Sequence, residues 1–327
     1  IMAGTSNEVL KYIVQYPNNG VHKPSHDGRT NLFWSASTNN VEMVKFFLQN
    51  GAKTDLVDEK GSTPLLFAVS NGCDNLEIYD LLLKYGSNVK KETSRSGANA
   101  LLLAAPHAKN LEIIEYFTKK GLSTKSKDEE GNGILEYAAQ GGNITIIKEL
   151  QAKYKVKPTN QNAVLFAANG QRGKQNGVDI YKFIKEELQL SLKTTNSNGQ
   201  NALHIVAGKQ INMEVLDFLK NEIDFRSNDI KGNSILHYAA KSQKNLEIIK
   251  LIVDWYSKEN DLPNDIGATP LLYAIEGNSV EVVDFLAHFN SAIDKVDANG
   301  NDYVTYLAEG FGRMVTGDLK EKVQYFH

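Results

Sequence analysis

Two kinds of apolar pattern alternate along the chain. Short blocks that are apolar at nearly every position, such as "TPLLFAV" (63–69) and "NALLLAA" (99–105), are each followed by a longer block in which apolar and charged residues interleave. The longer blocks read "NVEMVKFFLQNGA" (40–52), "NLEIYDLLLKYGS" (75–87), "NLEIIEYFTKKGL" (110–122), "NLEIIKLIVDWYS" (245–257) and "SVEVVDFLAHFNS" (279–291). Val41, Val44, Phe47 and Leu48 fall at i, i+3, i+6 and i+7, which is one stripe of an amphipathic helix. The short blocks predict a shorter helix, with Thr63 suited to the N-cap and Pro64 to the first turn. Their small Ala-Ala pairs let neighbouring helices approach closely.

Aligning the short blocks exposes a repeat. "GSTPLLFAV" from Gly61, "GANALLLAA" from Gly97, "GNGILEYAA" from Gly131, "GQNALHIVA" from Gly199, "GNSILHYAA" from Gly232 and "GATPLLYAI" from Gly267 are copies of one motif. Fainter copies start at Gly28 ("GRTNLFWSA") and Gly300 ("GNDYVTYLA"), and one at Asn160 ("NQNAVLFAA") carries Asn in the glycine slot. Successive anchors lie 33, 36, 34, 29, 39, 33, 35 and 33 residues apart. Such a period is the signature of stacked supersecondary units.

The linking chemistry is that of turns. Gly51, Gly86 and Gly121 follow the longer helices, where a helix stop favours a left-handed residue. Asp58, Asp128, Asp229 and Asp297 each precede an anchor glycine by three positions, and Asp-x-x-Gly suits a tight turn because Asp bonds the local backbone and glycine accepts positive φ. By the same logic Asn160 is expected at positive φ.

Each unit therefore reads as turn, short helix, loop, longer helix, turn. This resembles the ankyrin repeat, with its Thr-Pro-Leu-His-x-Ala motif. Thr63-Pro64-Leu65 and Thr269-Pro270-Leu271 match its front half, while Leu203-His204 and Leu236-His237-Tyr238-Ala239-Ala240 match its back half; no copy has the whole. The resemblance covers essentially the entire chain. It implies an all-α solenoid of stacked helix-turn-helix units joined by β-turn or hairpin fingers, one curved, elongated array over residues 1–327. It also implies that His204 and His237 bond turn backbone. A helical-hairpin repeat of another family would leave the Gly-anchored turns unexplained.

Two places depart from regularity. The segment between Gly131 and Asn160 is about four residues short and carries Pro158, and the next unit has a longer loop, "NGQRGKQNG" (169–177). A local change of twist dividing the array into two cooperative halves is expected near 150–178. The opening "IMAGTSNEVLKYI" aligns with "AIEGNSVEVVDFL" (274–286), so residues 1–20 read as a partial repeat entered near the end of its first helix. "GDLKEKVQYFH" places Leu319, Val323 and Phe326 on one helical face. An excerpt of a longer protein is the expectation; a half-repeat serving as its own cap is the rival, since a solenoid end needs a polar-faced cap.

Composition narrows the function classes. The 327 residues are 41% hydrophobic and 23% charged, the profile of a folded chain. No apolar run approaches the roughly 18–20 residues of a membrane span. With 36 basic against 39 acidic residues there is no basic excess, which argues against a nucleic-acid partner. One cysteine, Cys73, makes no internal disulfide, and with seven scattered histidines it leaves little for a structural zinc site. The lone cysteine fits a reducing compartment and an envelope or secreted one alike, so localisation is open.

Candidate chemistry is sparse. "GQRGKQNG" has glycines and a lysine but neither a preceding strand nor the Gly-Lys-Ser/Thr order of a phosphate loop. His22 and His26 flank Pro24 in a loop and need not share a face. Cys73 has no cationic neighbour to lower its pKa. Glu129-Glu130 and Glu186-Glu187 read as solvated surface. No enzyme, metal or cofactor site is expected within the chain.

Binding remains. The resemblance implies that the turn tips and the outward positions of the first helices line one concave face. Here the tips are Arg29, Glu59, Lys60, Arg95, Glu129, Glu130, Ile230, Lys231, Asp265 and Ile266; the outward positions include Ser70, Asn71, His107, Gln140, Lys241 and Glu276. Ile230 and Ile266 are apolar tips in adjacent copies. One motif position runs Trp34, Phe67, Leu103, Tyr137, Phe166, Ile205, Tyr238, Tyr273, Tyr306, readable either as packing in the seam between first helices or as an aromatic binding ladder. The leading function is a non-catalytic scaffold that binds another protein through this face. The alternatives are a targeting module of a longer protein with an effector or enzymatic segment elsewhere, and a small-ligand or glycan binder using exposed tyrosines.

Overall fold

The computed structural model describes residues 6–16, 19–256, 262–288, 293–310 and 316–326, the side chains of the last segment from Lys320 onward. The aligned opening at 1–5, Ser291 and the Leu319 side chain lie outside the described residues. Among these residues the regular structure is helical, with only isolated bridges at Thr93–Asn99 and Gln171–Lys174 in place of strands.

The short and long helices fall where the two patterns predict them. Thr63 holds an extended backbone, its hydroxyl accepts from the Leu66 N–H, and Pro64 opens the helix Pro64–Ser70. Asn99, Asn201, Thr269 and Asp302 cap the equivalent helices of their own repeats in the same way. The longer helices start from asparagine: Asn40 caps Val41–Gln49, Asn75 caps Leu76–Lys84, Asn143 caps Ile144–Tyr154 and Asn245 caps Leu246–Trp255. A side-chain cap of this kind is worth about 1 kcal/mol. Gly51, Gly86 and Gly121 then break the helices at φ of 84°, 120° and 98°.

The chain divides into two compact units, residues 1–163 and 164–327. Within each, successive first helices pack on one another and on their own second helices, as Pro64–Ser70 does on Asn31–Ser37, Ala100–Ala104 and Leu76–Lys84. Leu65, Leu66, Ile78 and Leu82 in one unit, and Leu236, Ile248, Leu271 and Leu286 in the other, are completely buried. Removing one such leucine to alanine costs about 2–5 kcal/mol. The outer surface of the first unit is laced by ion pairs between successive second helices, Lys45–Glu77 at 2.5 Å and Lys120–Asp80 at 2.7 Å among them. Being exposed, each is worth about 0–1 kcal/mol.

Two expectations need correction and one needs an addition. Asn160 is not at positive φ; the non-glycine residues there are Asn39, Lys155 and Gln189. The reason lies in Glu136, which holds the motif's histidine position and is completely buried. Its carboxylate accepts from Gly133 N (2.9 Å), Thr159 N (2.6 Å) and Asn160 N (3.3 Å). A carboxylate offers no proton, so the following segment must present N–H groups where the repeat of His237 meets the Ala268 carbonyl, and the shortened stretch ending at Pro158-Thr159 does that. The second is an addition in the last helix, Thr316–Phe326: Val323 and Phe326 are half-buried, while the fully buried side chain is Lys322, which the apolar face did not indicate. Its amine donates to Ile275 O at 2.7 Å, at the C-terminal end of the helix Pro270–Gly277, where cations are favoured. Third, Glu276 does not point outward; it is buried.

Candidate functional site

The fingers follow one construction. The anchor N–H donates to the carbonyl three residues back, as in Gly61 to Asp58 (2.9 Å), Gly131 to Asp128 (3.1 Å) and Gly232 to Asp229 (3.1 Å). The Asp Oδ1 accepts two further backbone N–H groups; for Asp229 these are Lys231 and Asn233, at 2.8 and 2.9 Å. Adjacent tips are tied by backbone bonds: Glu59 N to Asp27 O (3.2 Å) and Glu129 N to Ser96 O (2.9 Å) in the first unit. In the second unit Ile230 N bonds Asn198 O (3.1 Å), Asp265 N bonds Lys231 O (3.1 Å) and Ala298 N bonds Ile266 O (2.7 Å). Arg95 instead sends its guanidinium to Glu59 O at 2.7 Å.

The free oxygen of each finger aspartate explains the aromatic series. Tyr137, Tyr238 and Tyr306 donate to Oδ2 of Asp128, Asp229 and Asp297 at 2.9, 2.6 and 3.0 Å, and Asn132, Asn233 and Asn301 donate to the same oxygens. Gln200 donates to the Tyr238 hydroxyl from the previous repeat at 2.7 Å. Burial and the neighbouring carboxylate push these phenols well above their ordinary pKa. Burial pushes the Asp229 carboxyl up, but the donors from Tyr238, Asn233 and the backbone outweigh it, leaving a net value below the usual carboxylate range. Phe67 cannot donate, and there Arg29 takes over: its Nε donates to Asp58 Oδ2 at 2.8 Å while its guanidinium lies 4.5 Å from the Phe67 ring centre. At Tyr137, Tyr238 and Tyr306 the hydroxyls are thus engaged in the fingers, and at Phe67 the ring packs under Arg29.

The motif histidines have the backbone role that the resemblance implies. His237 is fully buried; Ser234 N donates to its Nδ1 and its Nε2–H donates to Ala268 O in the next finger, both at 3.0 Å. Burial pushes its pKa down to about 4. His204 Nδ1 accepts from Asn201 N at 3.3 Å, and burial lowers its pKa too. Cys73 is buried, which pushes its thiol up and away from thiolate chemistry. Among the described residues no group of three or more His, Cys, Asp and Glu is placed to hold a metal, and no helix is long and apolar enough to cross a membrane.

The candidate contact residues separate by unit. In the first, Glu59, Lys60, Arg95, Glu129 and Glu130 are exposed tips, whereas Arg29 is drawn inward by Asp27 and Asp58. In the second, Ile230 is 64% and Ile266 37% exposed, with Lys231 and Asp265 exposed beside them. A groove of about 170 Å³ runs between these tips and the first helices, bounded by Ile230, Lys231, Tyr238 and Tyr273. Lys241 pairs with the buried Glu276 at 2.8 Å across neighbouring first helices, so these two serve the stack. Sequence reasoning missed Glu136, although a carboxylate in a histidine slot was visible in "GNGILEYAA".

A family model described as ankyrin repeats (3 copies) matches residues 1–93, 73–162, 165–261 and 236–315. Among curated proteins the chain is similar to inversin from Canis lupus familiaris, 26% identical over 251 residues, covering 76% of this chain and 20% of inversin. It is 28% identical over 220 residues to a putative palmitoyltransferase ZDHHC13 of Danio rerio, covering 65% of this chain and 32% of that protein. A putative ankyrin repeat protein, L371, of Acanthamoeba polyphaga mimivirus matches at 23% over 309 residues, 94% of this chain and 32% of its own length. The chain thus spans about a fifth to a third of these relatives. With the finger turns, the paired helices and the matched models in agreement, the chain belongs to the ankyrin-repeat family.

Proposed function

We propose that this chain is a protein-interaction module that engages a partner through its finger tips and the adjoining first helices. The observation that carries the reading is the pair Ile230 and Ile266: two exposed aliphatic side chains on neighbouring fingers held in register by backbone hydrogen bonds, rimmed by Lys231 and Asp265. Burying such an anchor inside a polar rim is how interfaces concentrate their binding energy. The finger aspartates and the tyrosines and asparagines beside them are engaged in stacking, which leaves the exposed tips as the surface open to a partner. The mixed charge of the tips, Lys60 beside Glu59 and Lys231 beside Asp265, favours a partner of mixed charge over a uniformly charged polymer.

A benzophenone crosslinker placed at position 230 or 266, with a control at the exposed second-helix residue Asp254, tests the assignment in extract of the native cell. Crosslinks to one discrete protein from 230 and 266 but not 254 are expected. Equal labelling from all three positions sinks it.

A second reading rests on the similarity to the Danio rerio protein named as a putative palmitoyltransferase, of which the match covers 32%. In that reading the repeats target an enzymatic segment encoded outside residues 1–327. The intact mass of the natural protein, with its terminal peptides, separates the two.

A further inference from the structure

The longer loop at 169–177 gives this repeat a shape of its own at the loop end of its first helix. Together with the loop of the next repeat it walls an open groove of about 510 Å³, at the far end of the first helices from the finger tips. Its floor is stapled: Asn176 donates to Ala167 O at 2.9 Å and Gln210 to Asn176 O at 3.0 Å, both side chains buried. One wall is a tight turn in which Gln171 and Lys174 exchange backbone hydrogen bonds at 3.0 Å.

Three residues of different chemistry line this space, Gln175, Lys209 and Ile211. Gln175 Oε1 is buried and has no hydrogen-bond donor among the described residues. The oxygen lies beside Gly170, and a buried acceptor without a donor calls for an explanation; a ligand N–H in the groove supplies one once the Gln175 side chain turns toward it. Lys209 is held by a single bond from its amine to Asn169 O at 2.7 Å, which leaves donors free. Burial pushes its pKa below the ordinary lysine value, and no acidic side chain lines the groove to offset that. Ile211 stands on the rim at 72% exposure, the most exposed large apolar side chain among the described residues.

We propose that this groove binds an extended acidic segment of a partner protein, its backbone N–H donating to Gln175 Oε1, a carboxylate meeting Lys209, and an aliphatic side chain covering Ile211. An acceptor, a cation and an apolar rim in one groove match the three components of a peptide; a simple anion would satisfy only the amine. Charge complementarity selects an acidic segment over a basic one, because Lys209 is the groove's only charged lining residue. The site is separate from the finger tips and stands or falls without them.

The test is fluorescence anisotropy with three labelled heptapeptide pools on the full chain: a fixed central Glu, the same pool with Gln, and the same pool with phosphoserine. Saturable binding of the Glu pool is expected, at least tenfold weaker for the Gln pool. Lys209→Met and Ile211→Asp should each weaken it at least tenfold, while an Ile230→Asp, Ile266→Asp double variant leaves it unchanged. Ile211 is exposed enough that its substitution spares folding, which thermal unfolding checks for both groove variants. Absence of saturable binding, equal affinity for the Glu and Gln pools, or insensitivity to Ile211→Asp would overturn the proposal. So would preference for the phosphoserine pool with displacement by inorganic phosphate, which would mark a phosphate site.

Discussion

The Tyr238 hydroxyl donates to Asp229 Oδ2 at 2.6 Å while accepting from Gln200 of the preceding repeat at 2.7 Å, so one phenol joins a finger, its own helix and its neighbour. Tyr238→Phe leaves both a carboxylate oxygen and an amide with one partner fewer. A cost of about 1–3 kcal/mol is expected for a half-buried network of this kind. Equilibrium urea unfolding should show a lower midpoint at unchanged slope, and an unchanged midpoint would mean that the phenol's partners are replaceable by solvent.

Acid sensitivity follows from the same carboxylate. Asp229 is held net below the ordinary carboxylate range, because the donors of Tyr238, Asn233 and the backbone outweigh the effect of burial. A folded-state pKa below the unfolded one, about 3.9, gives stability that is present above that value and lost as pH falls through the folded pKa. Asp229→Asn should therefore be less stable than the wild type at pH 6, with the difference narrowing below about pH 4. A gap that stays constant down to pH 2.5 contradicts the linkage.

His237 acts in the same direction at higher pH. Its pKa is pushed from 6.5 to about 4 by burial, so between those values the unfolded chain takes up a proton that the folded chain refuses. Stability from the neutral ring is complete above pH 6.5 and declines as pH falls toward 4, at up to about 1.4 kcal/mol per pH unit. His237→Gln should flatten that part of the profile, which chemical denaturation at half-unit pH intervals would reveal. His204, also lowered by burial, adds a slope of the same sign that the variant retains.

Gly141 and Gly277 are demanded by proximity rather than by φ. A Cβ on Gly141 would lie 2.1 Å from the Pro106 carbonyl oxygen, and one on Gly277 2.5 Å from Lys241 O. Backbone cannot yield as a flexible side chain does, and overpacking of this sort costs about 1–3 kcal/mol. Gly141→Ala and Gly277→Ala are expected to lower the thermal midpoint, whereas Gly177→Ala, with nothing within 4 Å and φ of −77°, should change it little. Unchanged or raised midpoints for Gly141→Ala and Gly277→Ala would show that the neighbouring backbone yields and that alanine's better helix propensity prevails.

Restoring the motif should be harmful at one place. Glu136 accepts from the N–H groups of Gly133, Thr159 and Asn160 and from the Thr159 hydroxyl, and a histidine there would turn its own N–H toward the Thr159 N–H. Glu136→His and Glu136→Gln should each destabilise the protein by about 2 kcal/mol or more, as expected when a buried donor loses its acceptor. A stabilised Glu136→His variant would show that the shortened segment does not depend on the carboxylate.

The repeat period, the two helices of each unit, the asparagine and threonine caps and the left-handed glycines were legible in the sequence because each is a local matter of a few neighbouring residues. "GSTPLLFAV" contains its own cap, its own first turn and its own apolar run. Relationships between repeats were not legible. Tyr238 and Gln200 are 38 residues apart, Glu136 and Thr159 23, and Gln210 and Asn176 34. Whether a tyrosine faces a ligand or a neighbouring aspartate, and whether Glu276 faces solvent or Lys241, depends on how one unit stacks on the next. Hydrophobic period records which side of a helix is buried, but not which polar atom it meets there. Asn160 shows the limit most plainly: its slot predicted positive φ, and a buried carboxylate 24 residues earlier decided otherwise.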